Sequence, residues 1–232
     1  MSISLNSLYV FSIFLFTAAS LALGIFSFLR DPHTKSVRFW FFMSVAIGVW
    51  GVSHLLALQA IFRGDVDKVI MYSKILHMGA AFIPVFFCHF VLEFLYQKNK
   101  YSYLLIIGYP LSLLFALISF TRLIIGGASP KTGFPLWLDA GNLYPLLVIF
   151  FYFYVFVSIY FLYLGYRRSD GIMKRKIFYI LLAAIIGFGG ASTNWLPQLV
   201  GIYPFGSFVA WLYPLLVTYG IFVDEIKIKV RF

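Results

Sequence analysis

Residues Val37–Phe62 read VRFWFFMSVAIGVWGVSHLLALQAIF, and Val69–Tyr96 read VIMYSKILHMGAAFIPVFFCHFVLEFLY, with only the charged stretch RGDVDK between them. Each run exceeds the about 20 apolar residues a helix needs to cross a bilayer. The short charged link makes them an antiparallel helical hairpin. Working outward, five more apolar stretches of similar length use up most of the chain: Ser7–Leu29, Tyr101–Ile125, Leu143–Tyr166, Lys176–Leu196 and Tyr203–Val223. The composition agrees, at 62% hydrophobic, 11% charged and a mean hydropathy of +0.93. A water-soluble domain would carry far more surface charge. The expectation is an all-α, polytopic membrane protein: one seven-transmembrane-helix bundle over residues 1–232.

The connecting loops set its orientation. Those around Arg30–Arg38, Lys98–Lys100, Arg167–Lys176 and Lys227–Arg231 carry thirteen Lys and Arg residues, against four (Arg63, Lys68, Arg122 and Lys131) on the other side. The positive-inside rule puts the richer side in the cytoplasm, with the N-terminus outside and the C-terminus inside. The first run has no basic residue before it and is too long for a secretory leader. The net charge of +10 belongs to these juxtamembrane loops, where it meets anionic lipid headgroups of the cytoplasmic face rather than nucleic acid. A lone cysteine, Cys88, excludes an internal disulfide.

Tyr and Trp near the predicted span ends read as an interfacial belt: Trp40, Tyr101, Tyr103, Tyr166 and Tyr179 on the inner side, Trp137, Tyr144, Trp195 and Tyr203 on the outer. Pro84, Pro110 and Pro214 fall inside spans, where each removes a backbone hydrogen bond and bends its helix, as packing or as a hinge. Ala183, Gly187 and Ala191, with Gly190 beside them, form a small-residue stripe suited to close helix packing, within the bundle or across a homodimer. Ile47-Gly48-x-x-Gly51-x-Ser53 and Ile186-Gly187-x-x-Gly190-x-Ser192 resemble each other, as a parallel repeat of the kind found in some transporters would require.

Ionisable groups inside a span are costly and point to function. Counting from the charged turn, His54 and His77 lie at matched depth on the facing helices, roughly 12 Å below the boundary. Such a pair can ligate haem or a metal, respond to pH, line a polar pocket for a small ligand, or rest neutral on hydrogen bonds within the bundle. No carboxylate or cysteine stands at that depth, so no cofactor is expected and haem remains only an alternative. Lys74 lies one turn nearer the outside. Thr193, Asn194, Trp195 and Gln198 make a polar outer end to the sixth span. His54, Lys74, His77, Asn194, Trp195 and Gln198 are therefore the candidate ligand-binding residues. His89 and Glu93, four apart near the inner end, read as a structural pair.

Other signatures are missing. No Lys falls between Tyr203 and Val223 to form a retinal Schiff base. Glu93-Phe94-Leu95-Tyr96 is not the Asp/Glu-Arg-Tyr of a G-protein-coupled receptor, and Pro214 lacks the Asn-Pro-x-x-Tyr context. There is no phosphate-binding loop, zinc-protease motif or nucleophile elbow, so no enzyme is expected.

Several short motifs recur in one order: Trp50 among small residues, Gly79 to Pro84 running into His89-Phe90, then Thr193-Asn194-x-x-Pro197, Gly201-Ile202-Tyr203-Pro204 and Tyr219-Gly220-Ile221 before Asp224-Glu225-Ile226. In this order the chain resembles the N-terminal seven-helix sensory region of bacterial histidine kinases and related diguanylate cyclases. The resemblance covers nearly the whole chain. It implies a multi-pass protein of the bacterial cytoplasmic membrane, part of a two-component system, that senses an extracytoplasmic or membrane-borne stimulus. It also implies coupling through the last span to a cytoplasmic output domain. No ATP-binding domain or phosphoacceptor histidine follows Phe232, so the expectation is an excised sensor or a relative that acts through a partner. The ligand would be small or amphiphilic, held in an outward-facing pocket. The alternatives are a structural or cofactor-bearing subunit of a larger membrane complex and a small-solute transporter.

Overall fold

The computed structural model of the protein describes residues 5–131 and 133–228, with side chains as far as Val223. The order of elements is α1 (Leu5–Arg30), α2 (Lys35–Arg63), α3 (Val66–Phe94), α4 (Ser102–Ile118), β1 (Ile125–Lys131), β2 (Phe134–Ala140), α5 (Tyr144–Arg168), α6 (Gly171–Ala191), α7 (Leu196–Val200) and α8 (Leu212–Ile228), with 3-10 turns at Ser192–Trp195 and Phe205–Val209. The result is an all-α bundle with one small β-hairpin. Five of these helices are long and apolar enough to cross a membrane: α1, α2, α3, α5, and α6 continued through α7; α4 and Leu212–Val223 of α8 are shorter apolar helices.

The α2–α3 turn forms as the sequence suggests. Gly64 ends α2 in the left-handed region (φ 73°), its N–H donating to the carbonyls of Ala60 and Ile61. Asp65 then caps α3, accepting from the Lys68 backbone N–H at 3.1 Å, and its carboxylate pairs with Lys68 Nζ at 2.8 Å. Further along, a Cβ on Gly79 would stand 3.0 Å from both the Ala46 carbonyl oxygen and the Trp50 nitrogen. The glycine thus lets two backbones touch, which is how helices associate in lipid without a hydrophobic driving force. α3 is the axis of the bundle: 78% of its apolar stretch is buried, against 39% for α1.

Several sequence expectations need correction. The fourth span stops at Ile118, not Ile125; Ile124 and Ile125 are buried, and Ile125 opens a strand. Just past the end of α4, the Thr121 hydroxyl donates to the Ile118 carbonyl and accepts from the Leu123 N–H, a local turn that competes with continuing the helix. β1 and β2 pair antiparallel with Ile125 opposite Ala140 and Lys131 opposite Phe134. Gly133 turns the chain at φ 85°. Asp139 fastens the hairpin, accepting from Ser129 Oγ at 2.6 Å and pairing with Lys131 Nζ at 2.7 Å.

The sixth helix runs Gly171–Ala191, and the polar stretch after it forms a 3-10 turn and short α7. Residues 203–211 likewise lead into α8, which begins at Leu212. Pro214 consequently sits in the first turn of α8, where no intrahelical bond is lost, and introduces no bend. Pro84 does lie inside α3. The interfacial-belt reading fails for Trp40, Trp137, Tyr144 and Tyr203, all buried in the bundle. Gly187 packs against the Tyr213 ring and Gly190 against the Gly206 carbonyl, so the small-residue stripe serves contact with α8 and the 3-10 turn before it, inside the chain. Gly48 and Gly51 instead meet Leu21 and Thr17 of α1. The glycines of the first motif thus approach α1, and those of the second approach α8 and the 3-10 turn before it, so the two motifs do not make equivalent contacts.

Several buried hydroxyls are satisfied within their own helix. Ser12, Thr17, Ser27, Ser44 and Ser158 each donate to the carbonyl four residues earlier in their own helix. This is the local solution open to Ser and Thr in an apolar helix.

Candidate functional site

The β-hairpin lies across the end of the bundle that carries the α2–α3 turn. Asn6 Nδ2 near the start of α1 donates to the Gly133 carbonyl at 3.1 Å, and Phe134 stacks on Tyr203 with ring centroids 5.1 Å apart and planes 4° from parallel. Trp137 of β2 meets His54 edge-on at 5.9 Å. Beneath these rings is a cavity of about 30 Å³, walled by α2, α3, β2, α5 and the segment after α6.

Five of the six candidate residues line it: His54, His77, Asn194, Trp195 and Gln198. Lys74 does not; it is half-buried on α3 and turned from the cavity, whose lining holds no charged residue. Matched depth on facing helices brought the two histidines to one space, as counting along the spans suggests. They do not bond each other. Each ends a separate hydrogen-bond chain.

The first chain starts at the hairpin. Trp137 Nε1 donates to Gln198 Oε1 at 2.6 Å, Gln198 Nε2 donates to the Tyr144 hydroxyl at 2.5 Å, Tyr144 lies 3.1 Å from His77 Nε2, and His77 Nδ1 lies 2.7 Å from the Ser73 carbonyl. A carbonyl only accepts, so Nδ1 carries the proton and Nε2 accepts from Tyr144. With a neutral imidazole every member is satisfied. The chain ties β2, α7, α5 and α3.

The second chain ties α1, α2, the end of α6 and the 3-10 turn before α8. Ser207 Oγ donates to Asn194 Oδ1 at 3.0 Å, and the Tyr9 hydroxyl donates to the same oxygen at 2.5 Å. Asn194 Nδ2 donates to the Ala191 carbonyl at 2.9 Å. Tyr9 has spent its single proton, so at its 3.0 Å contact with His54 Nε2 the imidazole must donate. His54 is therefore the Nε2–H tautomer, and Nδ1 is left with a lone pair. That atom is buried and has no partner among the described residues. An unmade hydrogen bond at a buried polar atom is expensive and calls for an explanation.

Reading the sequence missed Tyr9, Tyr144, Trp137 and Ser207 as site residues. Tyr9 lies about one turn into α1, where the interface could satisfy a phenol as well as the interior does, so the sequence alone does not mark it.

A second, apolar chamber of about 50 Å³ adjoins this one, with Trp50, Ala80 and Trp195 walling both; Phe16, Ile83, Phe188 and Tyr213 are among its other faces. The cluster at the far end of the bundle has a structural form. His89 Nδ1 meets the Tyr109 hydroxyl at 2.7 Å, its ring stacks on Phe39 with centroids 3.4 Å apart, and its Nε2 stands 3.6 Å from Glu93, which Lys98 reaches at 3.2 Å. The His89–Glu93 pair expected from the sequence is present, and Lys98 joins it. Among the described residues no three of His, Cys, Asp and Glu gather as metal ligands.

Outside the spans, electrostatics favour a docked hairpin. Partial burial would raise the Asp139 carboxyl, but hydrogen bonds from Lys131 and Ser129 outweigh it and hold the group below the usual carboxylate range. At the opposite end, Arg30 lies 4.7 Å over the Phe222 ring and Lys174 5.1 Å over Tyr166. These cations rest on aromatic faces at the ends of their helices.

No curated protein and no solved structure matches the chain. One family model does, described as the N-terminal 7TM region of histidine kinase, over residues 12–226. With apolar helices of membrane-crossing length packed as a bundle, and a match over nearly all of its residues, the chain belongs to the family of N-terminal seven-transmembrane regions of histidine kinases, multi-pass membrane sensory regions rather than catalytic kinase domains.

Proposed function

We propose that the chain is a single seven-span input domain with its N-terminus outside. It holds a small or amphiphilic ligand under the hairpin and signals through α8 to a cytoplasmic output domain or partner. The distribution of charge supports the orientation. Lys98, Lys100, Arg167, Arg168 and Lys174 crowd the end opposite the hairpin, whereas Lys68 and Lys131 at the hairpin end are neutralised by Asp65 and Asp139.

One observation carries the reading: the chain His54–Tyr9–Asn194–Ser207. It starts on the cavity wall and ends at Ser207, in the 3-10 turn that feeds α8. A ligand that disturbs the histidine end is thus tied by hydrogen bonds to the entry of the output helix. The cavity has room for one or two waters, so any larger ligand enters only by displacing the hairpin or α7. Such a ligand favours one arrangement over another, and differential affinity is what a sensor needs. The same small volume leaves no space for a porphyrin, and both His77 nitrogens are engaged, which weighs against a haem-bearing subunit.

The test is a fusion of the chain to a histidine-kinase output domain in membrane vesicles. Asn194→Leu and His77→Leu are expected to shift basal autophosphorylation several-fold, while Ser112→Ala, buried on α4 away from the cavity, leaves it unchanged. Equal activity in all variants removes the proposal.

A further inference from the structure

The cavity's chemistry narrows the ligand, on the reading above that this cavity is the sensory site. Neither chamber is lined by any Asp, Glu, Lys or Arg. An ion placed there would be desolvated with nothing to pair it, at heavy cost. Lys74, the one candidate that would have favoured an anion, is not part of the lining.

The polar atoms of the two hydrogen-bond chains are committed. Tyr144, Gln198, Asn194 and both nitrogens of His77 are engaged in the two chains. Of the residues lining either chamber, His54 alone carries a buried polar atom without a partner among the described residues. His54 is 4% exposed. The tautomer argument makes that atom, Nδ1, an acceptor, because the ring's one proton sits on Nε2 and is donated to Tyr9. What that atom lacks is a hydrogen-bond donor. Directly below lies the apolar chamber faced by Phe16, Ile83, Phe188 and Tyr213.

We infer that the site recognises an uncharged molecule with a hydroxyl and an apolar body: the hydroxyl donates to His54 Nδ1, and the body enters the chamber between Trp50 and Trp195. An alcohol fits. An ether of the same size offers no donor, a carboxylate brings an unpaired charge and a further acceptor, and an ammonium brings a charge with no carboxylate to meet it.

The isomers n-pentanol and butyl methyl ether separate the donor from size and hydrophobicity, with pentylammonium and pentanoate as charged probes. The full chain in lipid nanodiscs is titrated and the saturable change in tryptophan fluorescence followed, since Trp50, Trp137 and Trp195 all face the cavity. The expected result is pentanol binding about tenfold tighter than the ether, the worth of one hydrogen bond to a buried acceptor, and no saturable response to either ion. His54→Gln keeps an N–H where Nε2 stands but removes the acceptor at the Nδ1 position, and is expected to abolish the preference. His54→Asn puts an oxygen there and is expected to retain it.

Equal affinity for alcohol and ether overturns the inference and leaves the ligand-binding reading standing. So does a preference that survives in His54→Gln. If no probe gives a saturable response, both the inference and the sensory cavity fail, and His54 Nδ1 is a site for water alone. The comparison of isomers in the unmodified protein needs no variant to fold.

Discussion

At the scale of single residues, the histidines were legible because membrane helices are regular: equal residue counts from a turn give equal depth. Asn194 and Gln198 were legible because polar side chains are rare in such a setting. Tyr9 and Tyr144 were not, because the sequence offers two homes for a tyrosine, the interface and the interior, and only packing chooses between them. Yet Tyr9 is the hinge of the second chain, receiving from His54 and giving to Asn194. Tyr9→Phe leaves a buried imidazole N–H without a partner while Asn194 keeps Ser207. The expected loss is about 1–3 kcal/mol of stability, the cost of an unmet buried donor. Ser12→Ala, which removes only a bond to the Leu8 carbonyl of the same helix, is expected to lose far less. Denaturant titration of the two variants in micelles checks the difference; equal losses would mean that Tyr9 contributes nothing beyond packing.

At the scale of elements, long apolar runs marked the helices, and the ends went astray where apolarity outlasts the helix. Leu123, Ile124 and Ile125 continue the hydropathy of α4, but Gly126 and Gly127 and the proline at 130 turn them into the first strand of the hairpin. Pro130 is tolerated there because a two-stranded ribbon has free edges. The ribbon is held by the Asp139–Lys131 pair, and its docking by Trp137 on Gln198. Because the Asp139 carboxyl is held below its unfolded value, its contribution is present in full above about pH 4 and is lost as pH falls through the folded-state value. Hydrogen exchange of the Ile125–Ala140 amides is expected to be flat from neutral pH to about pH 5 after correction for intrinsic rates, and to rise below pH 4. In Asp139→Asn the acid-dependent rise is expected to disappear, with faster exchange at all pH values. A hairpin whose protection follows the same acid profile in both proteins would contradict the role given to Asp139.

At the scale of the whole molecule, composition and loop charge were enough to read a membrane bundle, and the order of short motifs was enough to read its family. What they did not reveal is how the parts are joined. Two hydrogen-bond chains link the hairpin, α3, α5 and α7 on one hand, and α1, α2, the end of α6 and the approach to α8 on the other. They meet at one small cavity. Those links are built from residues far apart in sequence, such as Tyr9 and Asn194, and no local pattern announces them.

Hydrogen exchange along α8 tests most directly whether the cavity is joined to the output helix. In the full chain in nanodiscs, Asn194→Leu removes the acceptor shared by Tyr9 and Ser207. The predicted result is faster exchange at residues 205–216, with no change at Ser102–Ile118 of α4, which lies outside the chain. Unchanged exchange at residues 205–216, or an equal rise in α4, would contradict a mechanical link from the cavity to α8.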